Sequence, residues 1–156
     1  MAPGFGSLPE LWLRVTNGEN PLRASSKDLL NPIALIQKYY DPQSELYRIL
    51  IIHSVLVTAK ALQLARDYLK NHPKAKVDLA LIEEAAMLHD VGIFRCHAPE
   101  IMCIGAEPYI CHGIVGREIV EKEGLPRHAV VCERHTGVGI TRDEVIPYGL
   151  LMASNQ

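Results

Sequence analysis

The sequence has few aromatic residues and no excess of charge of either sign. Aromatic residues make up 6% of the 156 residues, and they form no platform on which single-stranded nucleic acid could stack. Sixteen Lys and Arg against eighteen Asp and Glu leave a formal net charge of -2. A long polyanion would therefore gain little from counterion release. We expect no long nucleic acid as a partner, whereas a small phosphorylated substrate needs only a few local charges.

Paired cysteines, long hydrophobic runs and a leader segment are also missing. None of the four cysteines lies in a Cys-x-x-Cys pair, which excludes a zinc ribbon and favours reduced thiols. The most apolar run, Ile49 to Val57, is far shorter than a membrane span and contains His53. The first residues lack the charged and apolar segments of a secretion signal. We therefore expect a cytoplasmic protein that is not associated with a membrane; the oligomeric state stays open.

The organisation of the chain changes near residue 31. Residues 1–30 contain prolines, glycines and the Asn17-Gly18 turn signal, and we expect them to form a poorly structured extension. Residues 31–156 have helical periodicity without the strict alternation of a strand, which predicts one all-α domain.

The predicted helices follow from caps, breakers and apolar spacing. One begins at Pro32 after the cap Asn31 and runs towards Tyr40. The next ends near Asn71, and glycines and prolines predict a loop over residues 93–111. The predicted helix that ends near Asn71 carries one apolar stripe, which comprises Leu46, Leu50, His53, Val57, Ala61, Leu64 and Tyr68. The other predicted helices carry Leu79 to His89, run from His112 to Glu123, and run from Pro126 to about His135.

Four histidines and one aspartate occupy inward faces or ends of these helices. They are His53, His89 with the adjacent Asp90, His112 and His135. A single histidine on an apolar face is most often a packing residue. Four on separate helices, with a carboxylate beside one of them, favour one common centre. Neutral imidazole and carboxylate together suit a divalent cation.

The segment AAMLHDVGIF, with His53 before it, resembles the core of the HD-domain phosphohydrolases, whose central motif often reads LLHDIGK. His112 in HGIVGREIV and His135 in CERHTGVGIT are similar to the extra histidines of the members that hold two metals. The resemblance implies a helical bundle over residues 31–156 with a metal site between helices. It implies His53, His89 and Asp90 as metal ligands, with His112 and His135 completing a second position.

The same resemblance implies the chemistry. One or two divalent ions (Mn, Fe, Co, Ni, Mg or Zn) would activate water for hydrolysis of a phosphomonoester or phosphodiester, with His89 and Asp90 as the catalytic pair. The substrate would be a small nucleotide-like molecule. Ile93 stands where the family motif has Lys, so Arg95 and Arg134 are the candidate phosphate contacts.

Three alternatives stay open. The family pattern closes with a later Asp, and the tail VIPYGLLMASNQ contains none, as if the C-terminal end were truncated relative to the family. Asp143 is the nearest carboxylate, but its place in the capping box Thr141–Glu144 favours a helix cap. A metal-binding protein with little or no catalysis is therefore one alternative. A dinucleoside-polyphosphate hydrolase and a structural domain with core histidines are the others.

Overall fold

The computed structural model describes residues 8–20 and 30–136. Within them, six α-helices dominate and one small sheet is present, so the all-α prediction is confirmed in its main feature. The chain divides into two compact units, Met1–Leu88 and His89–Gln156. The predicted capping box at Thr141–Glu144 and the C-terminal tail lie outside the described residues.

The first unit begins with a helix that the sequence did not lead us to expect. Helix α1 (Leu8–Thr16) places Trp12 edge-on to Tyr47, with ring centroids 6.1 Å apart. The Tyr47 hydroxyl donates to the carbonyl of the fully buried Val15 at 3.2 Å. Gly18, at φ 78°, lies beyond the last turn instead of interrupting it. The prediction of a poorly structured extension over residues 1–30 is therefore wrong for this stretch, because tertiary contacts stabilise a helix whose local signals are weak.

The remaining helices of this unit are α2 (Pro32–Ile36), α3 (Glu45–Asn71) and α4 (Leu79–Leu88). Side-chain caps begin two of them. Asn31 Oδ1 accepts from the backbone N–H of Ile33 at 3.1 Å, and Ser44 Oγ accepts from that of Tyr47 at 3.1 Å. Helix α2 ends before the predicted Tyr40, and α3 ends at Asn71 as predicted.

Helix α3 buries a different face from the predicted one. Its buried residues are Tyr47, Leu50, Ile51, Ser54, Val55, Thr58, Leu62 and Ala65. Of the predicted stripe only Leu50 belongs to this set, and His53 is exposed. The predicted stripe lies on the wrong face because Ser54 and Thr58 are polar, and polar residues are expected at the surface. The Thr58 hydroxyl, however, donates to the Ser54 carbonyl at 2.7 Å, so it is satisfied inside the protein.

The length and composition of α3 also meet the criterion for a membrane-spanning helix. Core helices of soluble proteins meet the same criterion. One third of the apolar window is buried inside the protein.

The second unit opens with a turn, a 3₁₀ turn (Ile93–Arg95) and a small sheet. The sheet has three strands, β1 (Cys96–Ala98), β2 (Cys103–Ile104) and β3 (Glu107–Pro108), with β1 in the middle. Strand β1 pairs with β2 in antiparallel orientation and with β3 in parallel orientation. The prediction of a loop over 93–111 is wrong here, because strands of two or three residues are too short for alternation to show in the sequence.

Two helices complete the second unit. A 3₁₀ turn (Tyr109–Cys111) leads directly into α5 (His112–Lys122), and α6 (Pro126–Arg134) follows. Gly124, at φ 78°, ends α5 as predicted, and Pro126 is the first residue of α6. The Arg117 guanidinium joins the two helices through an ion pair with Glu133 at 2.6 Å.

Candidate metal centre

The His89-Asp90 pair lies in the turn that immediately follows α4. Both residues are buried, with exposed fractions of 6% and 8%. The Asp90 carbonyl accepts the backbone N–H of Ile93 at 3.1 Å, which closes the turn. Asp90 Oδ2 lies 3.3 Å from His89 Nε2. An anionic carboxylate is thus held inside the protein, where it needs a cationic or hydrogen-bonding partner.

Two further histidines converge on the other oxygen of Asp90. His112 is the first residue of α5, and His135 directly follows the last residue of α6. Asp90 Oδ1 lies 3.0 Å from His135 Nε2 and 3.3 Å from His112 Nε2. The two Nε2 atoms are 3.1 Å apart. The ligand atoms of Asp90, His112 and His135 all lie within 4.8 Å of one another, so this cluster could hold a metal ion.

Backbone carbonyls set the tautomer of both histidines. His112 Nδ1 lies 2.6 Å from the Tyr109 carbonyl, and His135 Nδ1 lies 2.7 Å from the Cys132 carbonyl. A carbonyl can only accept, so each Nδ1 carries the proton. In the neutral imidazoles both Nε2 lone pairs therefore face Asp90. Metal-binding histidines are held in this way in proteins.

The donor set fits a divalent cation. Two imidazole lone pairs and a carboxylate oxygen meet in a buried space, and without a cation or a proton between them they repel one another. The three donors are of the mixed nitrogen and oxygen type that Mn, Fe, Co, Ni and Zn accept. The electrostatics of His112 agree with this. Burial acts to lower its pKa, but the hydrogen bonds to Asp90 and to the Tyr109 carbonyl, with the Asp90 charge, outweigh burial and raise the pKa.

Glycines allow the three segments to approach so closely. A Cβ on Gly92, just after the His-Asp pair, would collide with the backbone of His112 and of Gly116. A Cβ on Gly113 would lie 2.6 Å from the Cys132 carbonyl oxygen, the atom that holds His135. The turn therefore packs against α5, and α5 against α6, at distances that only glycine permits.

Cys132, whose carbonyl oxygen holds His135, belongs to no metal cluster among the described residues. Cys132 is fully buried, and burial together with the Asp90 charge raises its pKa to about 12. All four cysteines are free and buried. Such thiols stay protonated near neutral pH and are poor metal ligands.

The other predicted site residues are His53, Arg95 and Arg134. His53 is exposed on α3, in the first unit, and its assignment as a ligand stays a prediction. Arg95 pairs with Glu118 at 3.3 Å and with Glu107 at 3.8 Å. Arg134, the last residue of α6, is exposed beside His135. The structure thus brings His89, Asp90, His112 and His135 together, and the phosphate-contact role of either arginine stays a prediction.

Two residues with clear roles at this site were missed in the sequence. Tyr109 supplies the carbonyl that orients His112, and Gly113 leaves room for the carbonyl that orients His135. The HGIVG segment does contain a signal, since its two glycines lie one helical turn apart just after a candidate ligand. Nothing in the sequence singles out Tyr109 from the other tyrosines.

Comparison with known proteins agrees with the geometry. The model of the HD domain family matches residues 50–152, about two thirds of the chain. The chain belongs to the HD domain family. The matched residues include the four that form the cluster, His89, Asp90, His112 and His135.

Curated relatives match parts of this HD domain chain. An uncharacterized protein of Methanocaldococcus jannaschii is 38% identical over 76 residues, which cover 48% of this chain and 38% of the relative. A tRNA (cytidine(56)-2'-O)-methyltransferase of Thermoplasma volcanium is 31% identical over 99 residues, 55% of this chain and 26% of the relative. The enzyme of that name from Picrophilus torridus is 35% identical over 74 residues, 47% of this chain and 18% of the relative. The chain thus spans well under half of each relative, and no solved structure matches it significantly.

Proposed function

We propose that this protein is a divalent-metal-dependent phosphohydrolase that acts on a phosphomonoester or phosphodiester of a small nucleotide-like molecule. The observation that carries the proposal is the convergence of Asp90 Oδ1 with the Nε2 atoms of His112 and His135, at 3.0 and 3.3 Å. Membership of the HD domain family supports the reaction class.

In this proposal Asp90, His112 and His135 hold one ion, and His89 and His53 contribute to a second position. A bound divalent ion would act as a Lewis acid that activates water and offsets charge on the phosphoryl oxygens. Asp90 is central because each of its oxygens faces a different histidine, Oδ2 towards His89 and Oδ1 towards His112 and His135. The carboxylate also supplies the negative charge that a dication requires in a buried site.

Of the two arginines, Arg134 is the better phosphate contact. It is exposed and directly precedes His135 in the chain. The Arg95 guanidinium, by contrast, lies near two carboxylates that offset its charge. We propose that Arg134 binds the substrate phosphate and that Arg95 ties β3 to α5.

The methyl transfer named for two relatives is not part of the proposal. This chain corresponds to only 26% and 18% of those proteins. The donor set of imidazoles and one carboxylate also suits hydrolysis at phosphorus better than transfer of a methyl group.

The first test is metal content, measured by elemental mass spectrometry before and after reconstitution. We expect one to two transition-metal ions per chain in the unaltered protein and a large loss in Asp90→Asn and His112→Ala. His72→Ala is the matched control, because His72 also bonds a carbonyl through Nδ1 but belongs to no metal cluster among the described residues.

The second test is turnover of generic phosphoesters by the loaded protein. Hydrolysis that disappears in Asp90→Asn supports the proposal. Full occupancy without turnover of any phosphoester would favour a metal-binding protein without catalysis. No metal after reconstitution would leave the histidines as packing residues and refute the proposal.

A further inference from the structure

Tyr109 contacts His112 in two independent ways. Its carbonyl lies 2.6 Å from His112 Nδ1, and its ring stacks on the imidazole with centroids 4.6 Å apart and planes 30° from parallel. A hydrogen bond at one ring nitrogen still lets the imidazole swing about the N···O line. A flat ring against the imidazole face removes most of that freedom.

The small sheet connects this contact to the His-Asp pair. Strand β1 begins shortly after Asp90, and β3 ends directly before Tyr109. The register places Cys96 opposite Glu107 and His97 opposite Pro108. Backbone pairing thus joins the strand that leads into Tyr109 to the strand that follows Asp90.

We propose that Tyr109 is a positioning residue of the metal centre, whose ring holds the His112 imidazole at the angle that directs Nε2 towards Asp90. The proposal rests on the proposed function in that the centre binds a metal. The hydroxyl has no part in it, so phenylalanine replaces tyrosine without loss.

The chain contains a matched control. Tyr68 and His72 form a similar pair on α3, with the His72 ring stacked at 4.2 Å and 18° and its Nδ1 3.0 Å from the Tyr68 carbonyl. This pair belongs to the first unit and to none of the metal clusters among the described residues. Replacing Tyr68 by leucine removes a ring stacked on a histidine, as in Tyr109→Leu, but the histidine affected, His72, is not a candidate metal ligand.

The test compares Tyr109→Phe, Tyr109→Leu, Tyr109→Gln and Tyr68→Leu in the full chain. Co²⁺ affinity is measured by competition with a chelator, the Co²⁺ absorption spectrum reports ligand geometry, and thermal unfolding of the metal-free proteins reports stability. Tyr109 is 40% exposed, so we expect all variants to fold.

We expect Tyr109→Leu and Tyr109→Gln to bind Co²⁺ about tenfold more weakly with an altered spectrum, the lower end of what loss of an outer-shell partner costs. Tyr109→Phe and Tyr68→Leu should match the unaltered protein. Unchanged affinity and spectrum in the Leu and Gln variants would overturn the proposal. A loss of Co²⁺ affinity in Tyr109→Phe equal to that in Tyr109→Leu and Tyr109→Gln would also overturn it.

A metal-free measurement separates this inference from the proposed function. The Nδ1–H proton of His112, held by the carbonyl, is expected as a slowly exchanging resonance by NMR in the unaltered protein and in Tyr109→Phe. Faster exchange in Tyr109→Leu supports positioning even if no metal binds, in which case only the proposed function fails. Equal exchange in all the variants would overturn the positioning role, whatever the metal content.

Discussion

Replacing Gly113 by alanine should damage the metal centre without removing a ligand. Gly113 is the second residue of α5, and a Cβ there would lie 2.6 Å from the Cys132 carbonyl oxygen and 3.3 Å from that of Glu133. Ordinary contacts begin at 3.4 Å, so the Cys132 carbonyl must retreat by about 0.8 Å or the two helices must separate. Both neighbours are backbone atoms of a helix and cannot rotate away.

The size of the effect follows from two opposing terms. Alanine favours a helix interior by up to about 1 kcal/mol over glycine, less in the first turn. Overpacking of this kind costs about 1–3 kcal/mol. We therefore expect a net loss of about 1–2 kcal/mol in the free energy of unfolding, which lowers Tm by about 2–4 °C per kcal/mol in a chain of this size.

The loss of metal affinity should exceed what the stability change explains. The displaced Cys132 carbonyl accepts the Nδ1–H of His135 at 2.7 Å, so moving it turns the imidazole away from Asp90. We expect metal binding to weaken about tenfold or more. Thermal unfolding of the metal-free protein and Co²⁺ titration measure the two effects.

Gly116→Ala is the control, one turn further along α5. Its Cβ would lie 3.3 Å from the Cys132 side chain and 3.6 Å from the nearest backbone atoms, so a small adjustment accommodates it. We expect near-normal stability and affinity. Gly113→Ala with the metal affinity of the unaltered protein would refute this explanation. So would a loss of metal affinity in Gly116→Ala as large as that in Gly113→Ala.

Three further predictions concern charge and reactivity. Because the pKa of His112 is raised in the folded protein above its ordinary 6.5, protonation stabilises the metal-free fold at low pH, and this contribution disappears as pH rises through the raised pKa. Urea unfolding across pH 5–9 should show that decline, and His112→Gln should flatten it. Arg134→Gln should raise KM for a phosphoester several-fold, whereas Arg95→Gln should leave KM unchanged; equal effects would contradict the assignment of the phosphate contact. With pKa values raised by burial to about 12 and about 11, Cys132 and Cys96 should not react with a thiol reagent at pH 8 until the protein is unfolded; rapid labelling of the native protein would show that they are accessible.

Helix ends were predictable because their signals are local. Asn31 before Pro32, the stop at Asn71 and Gly124 each act through the backbone within one turn of the residue itself. Pro126 likewise begins α6 where the sequence indicated. Capping and breaking need no distant partner, so a reader of the sequence can locate them.

Which face of α3 is buried was not predictable in the same way. The apolar pattern allows two neighbouring stripes, and the structure buries the one that contains Ser54 and Thr58. That choice depends on whether a neighbouring helix accommodates small polar side chains, one of which, Thr58, donates its hydroxyl to the Ser54 carbonyl. Helix α1 is similar, since its stability comes from Trp12 and Val15 meeting Tyr47.

The candidate ligands can be inferred from the sequence alone. Their metal-binding groups, imidazole and carboxylate, are given by residue type, and the signals for helix ends lie close to them in the chain. Only the tertiary structure shows that Asp90, His112 and His135 point their donor atoms at one another. That convergence depends on carbonyls of Tyr109 and Cys132 and on the close approach that Gly92 and Gly113 allow. Backbone atoms carry no sequence signature, so their role emerges only once the chain is folded.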